Sequence, residues 1–155
     1  MWINNVGHQT ESQVNTEIQL HDCEIAEVTH SSGLTTIVFS TAYIHESAGV
    51  PGADPGRIWT QVAKITVGAT TPPPIPVNLP IWVLGGTLAI GQTCHEEFIP
   101  AGGQFDCDTD LAFHLSTADG SDGGALRVKG SRVKIELCGE PSEPEDYTEC
   151  NRRAI

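Results

Sequence analysis

Hydrophobic and polar residues alternate along most of the chain with a period of two, which is the pattern of a half-buried β-strand. Two such runs, at residues 17–29 and 34–45, are rich in Ile, Val, Thr and aromatic residues. They flank a short Ser-Ser-Gly break at residues 31–33, so the sequence predicts a β-hairpin. We expect this hairpin to form the central ribbon of an all-β domain.

The alternation slips inside the first run, and Ala26 and Val28 return to the face of Leu20. Leu20 lies on one face of the predicted strand, but the next apolar residue, Cys23, lies on the other face. A slip of this kind is produced by a β-bulge, which also re-aims the side chains around it. The sequence therefore predicts a bulge at His21-Asp22.

The same criterion predicts five further strands downstream, at residues 58–69, 81–92, 105–116, 125–129 and 132–138. They are separated by a loop at 46–57, a proline-rich connector at 70–80, a loop or bent edge at 93–104 and a turn at 117–124. No window holds a 3.6-residue apolar period over three turns. The expected fold is a single all-β domain, an antiparallel β-sandwich or barrel (jelly-roll-like) of about seven to eight strands.

The two ends of the chain lack this alternation. Residues 1–16 are predicted to form an N-terminal arm, and residues 139–155 an acidic C-terminal tail that lies on the surface or frays. The N-terminus does not read as a signal peptide, and the most apolar stretch, residues 75–90, is interrupted by Pro and Gly. We therefore expect a soluble, cytoplasmic protein whose five Cys residues are reduced.

The charge of the chain narrows the choice of partners. Eight Lys and Arg residues stand against twenty Asp and Glu residues, which gives a formal net charge of −12. Such a field repels phosphate backbones and anionic lipids, so neither nucleic acid nor a membrane is expected as a partner. It would attract a basic protein or a cationic ligand, although the alternative is that the acidity only keeps the domain soluble.

Several His and Cys residues are candidate metal ligands, although no motif joins them. The candidates are His21, Cys94, His95 and His114. Zinc sites use such ligands, but the sequence has no C-x-x-C, H-x-H or H-E-x-x-H spacing, so no cofactor is predicted. The alternative is that His21 and Asp22 form hydrogen bonds within the bulge while Cys23 lies in the core.

Three carboxylates, Asp106, Asp108 and Asp110, recur at alternate positions, as they do in a calcium-binding loop. The Gly and the distal Glu that complete such a loop are missing. In a strand these carboxylates would form a row, which we expect Lys and Arg residues of neighbouring strands to pair with. The chain also lacks the G-x-S-x-G nucleophile elbow, although composition alone does not exclude an enzyme.

Aromatic residues on either side of the loop 46–57 suggest a recognition surface. Tyr and Trp are enriched at interfaces, and burial in the core is the alternative for both. Together with the polar residues of the hairpin, they give the candidate binding residues His21, Asp22, Glu24, Tyr43, His45 and Trp59.

The segment Leu-His-Asp-Cys-Glu-Ile at residues 20–25 is followed by a strand pair, a Trp-bearing strand and the closing run Val-Lys-Ile-Glu-Leu-Cys-Gly-Glu at 133–140. In these features the chain resembles small bacterial all-β domains that open on a His-Asp strand, some of which are immunity proteins that neutralise a toxin. The resemblance covers residues 18–140. It implies a compact β fold and a protein partner.

The leading hypothesis from the sequence is a small acidic binding protein with a basic protein partner, such as a toxin that it neutralises. The alternative is a β-barrel that binds a small ligand or a metal ion, with an enzyme as a variant of this alternative. Self-association through a strand edge into a homo-oligomer is compatible with either hypothesis.

Overall fold

The computed structural model describes residues 14–69, 71–76 and 78–148, and within these ranges the chain forms eleven strands and no helix. The strands are β1 (Asn15–Ser31), β2 (Leu34–Ser47), β3 (Gly56–Gly68), β4 (Ile81–Ile90), β5 (Thr93–Glu96), β6 (Phe98–Pro100), β7 (Gly103–Phe105), β8 (Thr109–Ser116), β9 (Asp122–Gly130), β10 (Val133–Cys138) and β11 (Glu145–Tyr147). The predicted all-β class is confirmed. The described part of the chain also has no helix with the length and apolarity that crossing a bilayer requires.

All strands pair antiparallel in one sheet, in the order β7-β10-β3-β2-β1-β4-β8-β9. The short strands are attached beside this path, with β11 on β3, β5 on β4 and β6 on β1. The sheet does not close, so the barrel alternative is wrong and the fold is an open, sandwich-like one. The strand number is also higher than predicted, because β5, β6, β7 and β11 were not expected.

The sheet curves around a single apolar core. Phe39 on β2 and Phe113 on β8 are separated in the sheet by β1 and β4, yet their ring centroids lie 6.1 Å apart. Both rings are buried, as are the alternate Ile, Leu and Val residues of the long strands. Full burial of each such side chain contributes about 1.5–3 kcal/mol, which makes this shared interior the main stabilising element of the fold.

The predicted bulge in β1 is confirmed. Gln19 pairs with Tyr43 and Glu24 pairs with Thr41, so the four residues 20–23 of β1 face the single residue 42 of β2. Asp22 adopts a φ of 74°, a conformation that Asp tolerates better than most residues. Before the bulge β1 pairs with β6, and directly after it β1 pairs with β4. The bulge therefore marks the point where β1 changes its neighbour.

The predicted fifth strand, residues 105–116, is interrupted. β7 ends at Phe105 and β8 begins only at Thr109. The intervening backbone turns, because Thr109 donates its hydroxyl proton to the carbonyl of Cys107 at 3.0 Å and the carbonyl of Asp108 accepts the N–H of Gly91 at 2.7 Å. Apolar and polar residues alternate from residue 105 to residue 116 in the sequence, so this break could not be predicted from the pattern.

The described part of the predicted C-terminal tail is held against the sheet and does not fray. β11 pairs with residues 56–58 of β3, and the N–H of Ser142 donates to the carbonyl of Thr60 at 2.8 Å. At the other end, β1 already begins at Asn15, inside the predicted arm. The remainder of the arm, residues 1–13, and of the tail, residues 149–155, lies outside the described residues.

Candidate functional site

Two further backbone irregularities, one at Glu97 and one in β4, lie beside the bulge of β1. The N–H of Leu20 donates to the carbonyl of Glu97 at 2.8 Å, and the N–H of Glu97 donates to the carbonyl of Gly86 at 3.0 Å. Glu97 itself has a φ of 63°, and the β4–β8 register shifts at Leu84. Non-glycine residues in the left-handed region persist only where the surroundings fix them, so this corner of the sheet is a candidate functional site.

His21 and Asp22 face water at this corner. The carbonyl of Leu84 accepts a hydrogen bond from Nδ1 of His21 at 2.6 Å, which directs the other ring nitrogen, Nε2, toward Asp22. Nε2 lies 3.5 Å from the Asp22 carboxylate, and the two side chains are 52% and 65% exposed. The bulge thus turns both polar side chains outward.

Glu24 and Glu27 continue the acidic character of β1 on the outer side of the sheet. Glu24 lies opposite Thr41 of β2 and Trp82 of β4, and its carboxylate accepts a hydrogen bond from the hydroxyl of Ser40. Glu27 is exposed, and the neighbouring buried residues of β1, Ile25 and Val28, project to the core.

Tyr43 lies on the same outer side, because it follows Thr41 by two residues in β2. Leu84 adds an exposed apolar side chain, with 46% of its surface accessible. We call this surface the acid face and define it by His21, Asp22, Glu24, Glu27, Tyr43, Trp82 and Leu84. It combines three carboxylates with half-buried aromatic rings and one exposed leucine.

The acid face contains no Lys or Arg, and His21 is its one imidazole. Within the described residues, all Lys and Arg side chains lie on β3, on β9 or at β10, namely Arg57, Lys64, Arg127, Lys129, Arg132 and Lys134. None of the ion pairs among these residues reaches Asp22, Glu24 or Glu27. The three carboxylates of the acid face therefore lack a Lys or Arg partner within the described ranges.

His45 is buried and forms part of the internal structure. Its ring packs edge-on against Phe98 at 5.2 Å and Tyr147 at 5.6 Å between centroids. Nε2 donates to the side-chain oxygen of Gln19 at 2.7 Å, while Nδ1 lies 3.4 Å from the Tyr147 hydroxyl. That hydroxyl also accepts the N–H of Gly52 at 3.0 Å. His45 thus connects β1, β2 and β11 rather than facing a partner.

Trp59 does not join Tyr43 on the acid face. It pairs with the core residue Ile44, whereas Tyr43 pairs with Thr60, so the two residues occupy successive positions of the β2–β3 ladder. The Trp59 indole donates to the side-chain oxygen of Gln61 at 3.0 Å, and the Arg57 guanidinium lies 5.9 Å from its ring centroid. Tyr43 and Trp59 therefore occupy different positions in the register of β2 and β3, but both contribute to the lining of one small groove.

The candidate metal ligands are spread along different ladders. His114 faces Gly85 across β4 and β8, whereas Cys94 faces Ala89 and His95 faces Leu88 across β4 and β5. Among the residues that the structure describes, no group of three or more His, Cys, Asp or Glu side chains could hold a metal ion.

Cys23 points into the core from the bulge. Its thiol donates to the carbonyl of Gln19 at 2.9 Å, and burial, the largest cause, raises its pKa to about 12. A thiol with this pKa stays protonated at neutral pH and is neither a nucleophile nor a metal ligand there. Its role is packing, as the sequence alternative proposed.

The aspartate row is paired at one position. Arg127 on β9 donates two hydrogen bonds to the two carboxylate oxygens of Asp110, at 3.2 and 2.8 Å, and these bonds lower the pKa of Asp110. The expected pairing with basic neighbours is thus confirmed for Asp110. Asp106 and Asp108 are exposed in the interruption before β8.

A small groove of about 180 Å³ opens next to Tyr43. It is lined by Tyr43, Ile58, Trp59, Thr60, Ser142, Glu143 and Glu145. Sequence reasoning missed Glu143 and Glu145 because they follow the last predicted strand and were assigned to the tail. The only signal was the alternation of Pro and Glu in that segment.

Comparison with protein-family models, with curated proteins and with solved structures found no match. The resemblance to bacterial immunity-type β domains therefore stays a prediction.

Proposed function

We propose that this protein is a small acidic binding protein that docks a basic protein partner on its acid face. The observation that carries the proposal is the set of three carboxylates, Asp22, Glu24 and Glu27, that have no Lys or Arg partner in the described structure. They lie beside Trp82 and Leu84, which keep apolar surface in contact with water.

The electrostatics of the chain support this assignment. Like charges on one strand repel one another, and a cationic surface placed over them relieves that repulsion. The net charge of −12 would also steer a basic partner toward the protein and accelerate encounter. Neutralisation of a basic toxin, as in immunity proteins, is one form that such binding takes.

The apolar members of the acid face would supply most of the affinity. Tryptophan and tyrosine dominate the binding energy of many interfaces once they are desolvated, whereas rim charges mainly set orientation and association rate. Trp82 lies directly opposite Glu24, so a basic residue that pairs with this carboxylate would also cover the indole.

Fluorescence anisotropy with a labelled deca-arginine peptide tests the proposal. The variant D22N/E24Q/E27Q should weaken binding by about tenfold or more, since each lost close charge pair is worth on the order of 1 kcal/mol. The control variant D106N/D108N/E140Q removes the same charge from exposed carboxylates elsewhere.

The control should lose only the small part of the affinity that net charge supplies. Binding by the wild type should also weaken steeply as salt is raised, because exposed charges are screened beyond about 10 Å at 0.1 M ionic strength. Equal loss in both variants, or binding that is indifferent to salt, would remove the acid face from the proposal.

A further inference from the structure

The groove beside Tyr43 is built by the segment that follows β10. The side-chain amide of Gln61 donates to the carbonyl of Gly139 at 3.0 Å, and the N–H of Thr60 donates to the hydroxyl of Ser142 at 2.8 Å. Ser142 returns a bond through its own N–H to the carbonyl of Thr60. These three bonds fix the segment along the edge of β3.

Two prolines make the segment stiff. Pro141 and Pro144 flank Ser142 and Glu143, and each ring locks its own φ near −65°. Glu145 then enters β11, where it pairs with Ile58. The backbone positions of Glu143 and Glu145 are thus set before any ligand arrives, which lowers the entropic cost of binding.

The walls and the rim of the groove differ in polarity. Tyr43 and Ile58 give an aromatic and an aliphatic wall, whereas the exposed Glu143 and Glu145 place carboxylates at the rim. With a volume of about 180 Å³, the groove is small enough to take one long side chain rather than a folded element.

We infer that this groove receives a single long cationic side chain, lysine or arginine, from the basic partner. The aliphatic stem of such a residue packs on apolar walls while its charged head stays at the polar rim, which is the arrangement that the groove offers. The ring of Tyr43 adds a face that attracts a cation. This inference rests on the proposed function and gives the partner an anchor residue next to the acid face.

NMR titration with Nα-acetyl-lysine-N-methylamide tests the inference directly. This probe should shift the amide signals of Thr60, Ser142, Glu143 and Glu145 in a saturable manner. The norleucine analogue keeps the stem and lacks the ammonium group, so its effect on the same signals should be at least about tenfold weaker.

The variant E143Q/E145Q provides the matched test on the protein side. It should abolish saturable binding of the lysine probe, whereas D106N/D108N, which removes the same charge from another exposed pair, should retain it. Equal shifts with the two probes, or unchanged binding by E143Q/E145Q, would overturn the inference.

The two proposals fail separately. If deca-arginine still discriminates between the two triple variants while the lysine probe ignores Glu143 and Glu145, only the anchor groove is wrong. If the lysine probe behaves as expected and the acid-face triple variant binds like its control, the groove stands and the acid face is wrong.

Discussion

The carboxylates of the acid face and the carboxylate of Asp110 on the outer side of β8 and β9 differ in whether an Arg of the sheet pairs with them. On β8 the Asp110 carboxylate receives two hydrogen bonds from Arg127 of the adjacent strand. On the acid face, Glu24 receives a hydrogen bond from the hydroxyl of Ser40, and Asp22 lies beside the ring of His21. One surface neutralises its charge within the sheet, and the other leaves it exposed to whatever binds.

The backbone is also more regular in β8 and β9 than it is beside the acid face. β8 and β9 form a regular ladder from Thr109 to Leu115, with one shift at the end. β1 instead changes partner at its bulge, and the left-handed residues Asp22 and Glu97 lie at that junction. Strain of this kind costs on the order of 1–3 kcal/mol per residue, so its concentration beside carboxylates that have no Lys or Arg partner in the described structure suggests function rather than stability.

The largest expected effect concerns the corner that holds the acid face in place. A methyl group at Gly86 would lie 2.6 Å from the carbonyl oxygen of Ala112, so Gly86→Ala forces the β4 backbone to move. We expect the free energy of unfolding in urea to fall by about 2–4 kcal/mol. Gly102→Ala is the control, because its nearest neighbour would lie at 3.8 Å and its φ requires no glycine.

Equal stability of the two alanine variants would contradict this prediction. It would show that β4 and β8 can move apart at Gly86 without a measurable loss in the free energy of unfolding.

An intermediate effect is expected on the paired surface. Asp110→Asn removes the ion pair with Arg127, and because the pair is partly exposed, unfolding should become easier by at most about 1 kcal/mol. The folded pKa of Asp110 is lowered, so its contribution is present above the unfolded pKa and is lost as the pH falls through the folded pKa. The difference between wild type and variant should therefore vanish in acid.

A double-mutant cycle with Arg127→Gln isolates this pair. A coupling energy of zero at neutral pH would show that the ion pair between Asp110 and Arg127 does not contribute to the free energy of unfolding. The paired surface and the acid face would then not differ in how their carboxylates affect stability.

The smallest effect is expected on the acid face itself. The variant D22N/E24Q/E27Q removes charges that have no Lys or Arg partner, and the contact of Asp22 with His21 is exposed, so its free energy of unfolding should stay within about 0.5 kcal/mol of wild type. Asn also tolerates the left-handed φ of residue 22. A loss of stability as large as that of Asp110→Asn, measured in the same urea titration, would show that these carboxylates are structural.

Much of the fold follows from local pattern. The hairpin of β1 and β2 and the bulge at His21-Asp22 could both be predicted, because alternation and its slip are visible along the strand. The strands β6, β7 and β11 could not, since three residues are too few to show a period of two. Their existence depends on neighbours that are distant in sequence.

The residues of the candidate site also divide into those that the local pattern predicts and those that depend on strand pairing. His21, Asp22, Glu24 and Tyr43 were found from the hairpin alone, and the structure places them on one side of the sheet. Trp82 and Leu84 were missed, because only the pairing of β4 with β1 and the register shift in β4 bring them there. The groove that Tyr43 and Trp59 both line likewise depends on distant pairing, because β11 brings Glu145 beside Ile58 of β3.

The most direct test of the account is a map of where a cationic ligand touches the protein. NMR shift mapping with unlabelled deca-arginine on the isotope-labelled chain should perturb residues 20–27 of β1, 40–43 of β2 and 82–84 of β4. The exposed carboxylates Asp106 and Asp108 should remain close to their free positions. Perturbations spread evenly over all exposed carboxylates would contradict the account, because the peptide would then respond to net charge alone.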